Sequence, residues 1–529
     1  MPRTFSKFLL AGYLTLGISM WAQTAAAPGA PPADLDMYVA NSMKTFDVPG
    51  MAIAIVKDGK VAVAKGYGVR KLGDSTPVDE FTMFAIGSNT KAFTTAALAT
   101  LVDQGKLSWD DRVHERLPGF VMYDPYVSHE MTIRDLLSHR SGMGLGEGDL
   151  LFWPHSTYTR DEIIYKLRFM KPHSSFRSRF DYDNLLYMTA GQIIPAVTGT
   201  SWDDYERQHI FEPLGMKHST VSSKDFKLGD DYASPHSRVD GKLQVIPLED
   251  LDNVGPAGSI NSCAADMAKW VQLQLNRGKF SDRDGRLFAE QRSREMWSPQ
   301  TILPTGDPRP ALAGLKTNFA DYALGWMLRE YHGRKLVWHT GGVGGFVSRV
   351  TVVPEENLGI VILTNAEQTE AFDAIFYHVL DHYLQLPATD WIGAFKTEED
   401  RREKEAAETM KKAEGARAAN SGPSLPLEKY AGTYNDAWYG PISIRSENGG
   451  LVISFDRTPG MVGDLQHWQY DTFKAHWRVR TIEDAFVTFS LNPDGSIDSA
   501  RMVAVSPLAD FSFDYQDLLL KPVISVEKK

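Results

Sequence analysis

The stretch FAIGSNTKAFTTAAL, residues 84–98, sets Ser88 and Lys91 three residues apart behind a glycine. In a helix, residues i and i+3 share a face, so a hydroxyl and an amine meet there. A serine hydroxyl is a weak nucleophile until a base takes its proton. Lysine acts as that base only when burial or positive potential lowers its pKa. A helix N-terminus supplies positive potential, and Phe84, Ile86, Phe93 and Ala97 supply apolar cover. The same helix start offers the Ser88 N–H as a donor to an oxyanion. A serine cap on a surface helix fits this spacing equally well, so the pair alone leaves both readings open. Two further clusters stand downstream: Tyr182 and Asn184 as Y-x-N in FDYDN, and His339, Thr340, Gly341 and Gly342 at the end of a strand-like run.

These residues need a scaffold. MAIAIVKDGKVAVAKGYGV alternates apolar residues on both sides of Asp58-Gly59, a hairpin signal. Helical spacing follows over 91–104, 161–169, 185–198 and 264–276. KLVWHTGG, GFVSRVTVVP and LGIVILTN then read as three strands, with a helix over 370–384 after them. Strands at both ends and helices between predict an α/β domain, one antiparallel sheet flanked by helices, closing near Leu386. Residues 387–426 read as a linker, with a solvated helix over the Lys/Glu/Arg/Ala-rich part, 398–419. From Leu427 to about 525, period-two alternation with turns at Asn448-Gly449-Gly450 and 492–495 predicts a small all-β barrel or sandwich.

The whole chain has 529 residues, 43% of them hydrophobic, and a formal net charge of -11. That is enough to bury a sizeable core, and the absence of a basic cluster argues against a nucleic-acid partner. Arg3 and Lys7, an apolar run over 8–21 and the small-residue stretch AQTAAAPGA have the order of a signal peptide, residues 1–27. The expectation is an exported chain, periplasmic or secreted, with no stable membrane span after cleavage. The single cysteine, Cys263, forms no intrachain disulfide and reads as a buried small hydrophobe. His378 and His382 have metal-ligand spacing but no third ligand in view, so no metal is expected. GGVGG leads into a strand and reads as a tight turn, not a nucleotide loop. LFWPHSTYTRDEIIYKLRFM, 151–170, reads as core or as a pocket wall.

The ordered motifs GSNTK, LLSHRSGM (136–143), YDN, IFEPLGM (210–216), ALGW (323–326) and HTGG together resemble the serine β-lactamase and DD-peptidase superfamily. The resemblance is to its class C β-lactamase-related branch, with DD-carboxypeptidases, D-aminopeptidases (peptidase S12-like) and family VIII esterases, and it covers roughly 35–386. It implies Ser88 as the acylated nucleophile, Lys91 as its base or proton shuttle, and Tyr182 as proton donor to the leaving group and activator of water. How Lys91 and Tyr182 divide the base role stays open. It further implies that Asn184 binds a substrate amide, that His339, Thr340 and Gly341 line the substrate cleft, and that Gly342 N–H joins Ser88 N–H in the oxyanion hole. Class C β-lactamases carry Lys-Thr-Gly where this chain has His339-Thr340-Gly341, so efficient β-lactam hydrolysis is not expected. The tail, opening KYAGTYND, resembles the lipocalin-like domain attached to some of these hydrolases.

The expected protein is thus a cofactor-free serine hydrolase acting on small peptides, D-amino-acid peptides first, or on small esters. Its rivals are a carboxylesterase or weak β-lactamase of the same fold, and a slow-acylating receptor for penicillin or peptidoglycan fragments. The oligomeric state is not legible.

Overall fold

A computed structural model describes residues 29–227 and 229–523. The proposed signal peptide lies outside the described residues. Among the described residues no helix is long and apolar enough to cross a membrane.

The hairpin forms as β1 (Gly50–Lys57) and β2 (Lys60–Gly68). Its turn residues Asp58 and Gly59 take φ of 52° and 76°, the left-handed pair that an Asp-Gly turn between twisted strands requires. The remaining sheet strands come from the far end of the same unit: β3 (Thr301–Ile302), β4 (Ala320–Tyr322), β5 (Met327–Tyr331), β6 (Arg334–Val343), β7 (Phe346–Val353) and β8 (Leu358–Thr364). They pair in the order β2-β1-β8-β7-β6-β5-β4-β3, antiparallel throughout. This is the sheet with flanking helices that the sequence pattern predicts.

Strand β1 shows why helices cover both faces. Met51, Ile53 and Ile55 pack into one core, with Leu35 and Val39 of α1 (Leu35–Thr45) and Phe372, Ile375 and Val379 of α5 (Thr369–Tyr383). Ala52, Ala54 and Val56 point the other way, into the core shared by α2 (Thr90–Asp103), α3 (Asn184–Thr198) and α4 (Ala264–Leu275). A strand apolar on both sides of its pleat must be sandwiched, because period two sends alternate side chains to opposite faces. Cys263, just before α4, is fully buried, and burial pushes its thiol up to about 12.

Helix α6 (Trp391–Gly415) departs from the solvated linker that its composition predicts. Trp391, Phe395, Glu398 and Ala406 form a buried stripe, and Trp391 Nε1 donates to Asp381 Oδ2 at 2.7 Å. A sparse stripe of four residues in 25 is enough to dock a helix whose other faces stay charged. His378 and His382 hydrogen-bond Asp34 and the Ala30 carbonyl instead of converging on one point.

Beyond α6 the chain winds a closed barrel of eight strands, β9 (Gly432–Asn435), β10 (Pro441–Glu447), β11 (Gly450–Phe455), β12 (Val462–Gln469), β13 (Thr472–Trp477), β14 (Ala485–Leu491), β15 (Ile497–Ala504) and β16 (Leu519–Pro522). Closure removes both free edges. Aromatic side chains fill its core, among them Tyr434, Phe455, Phe473, Trp477 and Phe489. The barrel docks on the segment 157–166: Arg457 pairs with Glu162 at 3.0 Å, and Lys166 Nζ donates to the Trp438 carbonyl at 2.7 Å. That segment is the second half of the aromatic run, whose Phe152 and Trp153 line the cleft while Ile163, Ile164 and Leu167 enter the core.

Candidate active site

Ser88 sits in a single 3-10 turn, Gly87–Asn89, that runs directly into α2. The turn is pinned to the sheet. Ser348 Oγ on β7 donates to the Ile86 carbonyl at 2.8 Å and accepts from Asn89 Nδ2 at 2.8 Å. Glycines allow the close approach. A Cβ on Gly341 would stand 1.8 Å from the Ile86 oxygen, and one on Gly87, at φ +51°, would stand 2.7 Å from the Gly342 nitrogen. Strand β6 therefore lies against the Ser88 turn, bringing the backbone of Gly342 beside that of Ser88. Gly342 itself faces open space.

The Lys91 amine is fully buried and has three neighbours: Ser88 Oγ at 2.9 Å, Asn184 Oδ1 at 2.7 Å and the Ala257 carbonyl at 3.0 Å. Burial lowers its pKa to about 7, against the opposing pull of Asp149 and Asp183. A neutral amine has two N–H donors and one lone pair. Two of its neighbours are carbonyl oxygens, which only accept, so both N–H groups go to them. The lone pair is left facing the Ser88 hydroxyl, the arrangement a general base needs.

Asn184 opens α3 and spans Lys91 and Asp149, to which its Nδ2 donates at 2.8 Å. Both ends of its amide are engaged inside the protein, so the expected contact to a substrate amide is secondary to this role. Asp149 and Asp183 are buried carboxyls pushed up by desolvation, to about 8 and about 7. Asp183 caps α3 by accepting from Leu186 N and also accepts from Ser141 Oγ at 3.1 Å.

Tyr182 lies with its ring 4.7 Å from Lys91 Nζ. Burial pushes its phenol well above the ordinary value, and the nearby Ser88 hydroxyl opposes that shift. His139, from the SHRSG motif, holds the ring in place at a centroid distance of 4.3 Å, and its Nδ1 accepts from Asp183 N–H. Arg140 pairs with the buried Asp135, so both residues serve as scaffold.

His339 borders the cleft, as the resemblance implies, but its ring nitrogens face other groups of the protein. It is 1% exposed; Nδ1 donates to the Thr340 carbonyl at 2.6 Å, and Nε2 lies 3.1 Å from the Tyr322 hydroxyl. Burial and the nearby Lys91 lower its pKa to about 3. The ring is a neutral part of the cleft wall, and its partners are spent within the protein.

Ser88, Tyr182, Asn184, His339, Thr340, Gly341 and Gly342 all border one cleft of about 980 Å³. Its opposite wall belongs to the barrel domain. The loop between β15 and β16 brings Phe511 within 5.9 Å of the Tyr182 ring, Phe513 within 4.4 Å of Trp153, and Ser512 Oγ to 2.7 Å from Asp149 Oδ2. Asp149, Asp183, Ser512 and the Ala257 carbonyl escaped the sequence reading. Asp183 was the detectable one, an aspartate two residues before a predicted helix. Among the described residues, no group of three or more His, Cys, Asp or Glu side chains is arranged to hold a metal ion.

An antiparallel sheet with a serine and a buried lysine at the start of its central helix defines a class of serine hydrolase fold. The family model named Beta-lactamase matches residues 35–384, and a domain of unknown function, DUF3471, matches 416–522. The chain belongs to the beta-lactamase family, a family of serine hydrolases. It is 31% identical over 450 residues to the unguisins hydrolase ungD' of Aspergillus campestris, covering 80% of each chain. It is 27% identical to the protein flp of Staphylococcus aureus strain MW2, over 63% of this chain and 62% of that one. Its fold is shared with the octameric penicillin-binding protein homologue from Pyrococcus abyssi, at a TM-score of 0.59 and 22% identity, over 92% of this chain and 99% of that one.

Proposed function

We propose that this chain is an exported hydrolase that cleaves amide bonds of small peptides, D-amino-acid peptides first, through an acyl-enzyme on Ser88. The carrying observation is the Lys91 amine, buried and held so that its lone pair meets the Ser88 hydroxyl. In the acylation step the Ser88 Oγ–C bond forms while the Oγ proton passes to Lys91. The carbonyl electrons move onto oxygen, where the N–H groups of Ser88 and Gly342 receive the anion. Collapse breaks the C–N bond, and the leaving amine takes its proton through Lys91 and Tyr182. Water, activated by the same pair, then releases the acyl group.

The cleft volume stands at the upper end of the range that encloses a drug-sized ligand, which supports a peptide over a minimal ester. The neutral His339 wall supplies no charge for a substrate carboxylate, which speaks against β-lactams. The unguisins hydrolases are named for hydrolysis, and it is that activity the present chain is proposed to share.

The test is a panel of D-aminoacyl anilides, a D-Ala-D-Ala peptide, p-nitrophenyl esters and a chromogenic cephalosporin. The expected result is many turnovers on a D-aminoacyl amide, lost in Ser88→Ala. Turnover confined to esters would make the chain an esterase. A single stoichiometric burst without turnover would make it a receptor.

A further inference from the structure

Asn184 can present either end of its amide to Lys91, and only one end is compatible with a base. If Nδ2 faced the amine, an N–H would point at the nitrogen and compete with Ser88 for its lone pair. Asp149 decides between the two. Its Oδ2 lies 2.8 Å from Asn184 Nδ2 and also accepts from Ser512, so with any proton on the unpartnered Oδ1 it stays an acceptor and rejects a carbonyl. The amide is thereby locked with Oδ1 toward Lys91.

Asp149 in turn depends on the barrel. It is wholly buried, and its Oδ2 also accepts from Ser512 Oγ at 2.7 Å, while Oδ1 has no partner. Ser512 comes from a loop anchored beside it: Asp514 accepts from Gly148 N–H at 2.6 Å and from Leu150 N–H at 3.1 Å, the residues flanking Asp149. The contact is thus held from both sides of the domain junction. A continuous chain runs from Ser512 through Asp149 and Asn184 to Lys91 and Ser88.

We propose that Asp149, and Ser512 through it, are positioning residues for the Lys91 amine, so that the tail barrel completes the base instead of only covering the cleft. This rests on the serine hydrolase reading above. Neither residue touches the reacting atoms; each acts through Asn184. The charged and titratable groups around the chain are Asp183 from the segment before α3, His139 from the SHRSG loop, Tyr182, Tyr187 of α3, His339 of β6 and Asp514 of the barrel. Asp149 and Lys91 titrate over the same range, so loss of the Ser512 donor raises the Asp149 carboxyl further and leaves less negative charge beside Lys91 as it takes up its proton.

The experiment is the rate of Ser88 labelling by a fluorophosphonate, followed from pH 5 to pH 9 in the full chain. Ser512→Ala should lower the plateau rate roughly tenfold, as misplacement of a supporting group does. It should also move the acid limb to lower pH. Ser512→Thr, which keeps the hydroxyl, should restore both. Arg457→Ala loosens the barrel elsewhere at the junction, at the Glu162 pair, and should leave the limb in place. A labelled wild type with an unchanged Ser512→Ala profile overturns this proposal and spares the hydrolase reading. An Arg457→Ala limb that moves as far as that of Ser512→Ala also overturns it, since docking in general would then be the cause. A wild type that takes no label overturns both.

Discussion

At the residue scale the decisive number is the Lys91 pKa of about 7, far below its ordinary value because the amine is buried. The base form is the neutral one, present above that pH and lost below it. Acylation, read as kcat/KM, should therefore fall about tenfold per unit as pH drops below ~7, and flatten above it. Lys91→Arg tests the same point without emptying the space. A guanidinium stays charged across this range, so the variant should lose about 100- to 10,000-fold in kcat/KM while folding normally. Near-normal activity in Lys91→Arg would reassign the base to Tyr182. The serine-lysine pair was legible because both lie on one helical turn, where backbone geometry alone sets their distance. The state of His339 was not. Its residue type allows protonation near neutrality, and only its burial beside Lys91 shows that the ring stays neutral.

At the scale of elements, the site depends on how closely β6 approaches the turn that starts α2. Gly341→Ala would set a methyl 1.8 Å from a backbone oxygen that cannot rotate away. The strand must shift outward, carrying the Gly342 N–H from Ser88. The expected outcome is loss of turnover by about 100-fold or more with a folded chain, because a displacement near 1 Å is enough to cost that much. Circular dichroism and a kcat measurement check it; unaltered kcat would show that Gly342 does not hold the oxyanion. The helices and strands that build this junction were visible as 3.6- and 2-residue periods. The buried stripe of α6 was hidden because Lys, Glu and Arg dominate its composition and only a few of its residues meet the core.

At the scale of the whole molecule, the barrel and the sheet domain share the cleft and share hydrogen bonds. Asp514 satisfies two buried backbone N–H groups across the junction, and an unsatisfied buried donor costs about 1–3 kcal/mol. Asp514→Ala should thus destabilise the chain by about 2 kcal/mol or more in urea unfolding, with Asp514→Asn, which keeps one acceptor, in between. No change in the midpoint would mean that the other junction contacts hold the two domains without Asp514. This coupling was illegible from sequence. Ser512 and Asp149 are 363 residues apart, and nothing in the pattern around either marks the other.

The amino-acid order by itself determined the elements and the reactive pair, because hairpin turns, helical faces and an i, i+3 spacing are local consequences of backbone geometry. It also carried the ordered motifs that mark the family. The tertiary structure decided which groups lose water and which polar atoms meet across the junction. Those two facts set whether the lysine is neutral, which way Asn184 points, and what closes the cleft. Desolvation and long-range hydrogen bonding are properties of the folded surroundings, and no short window of sequence contains them.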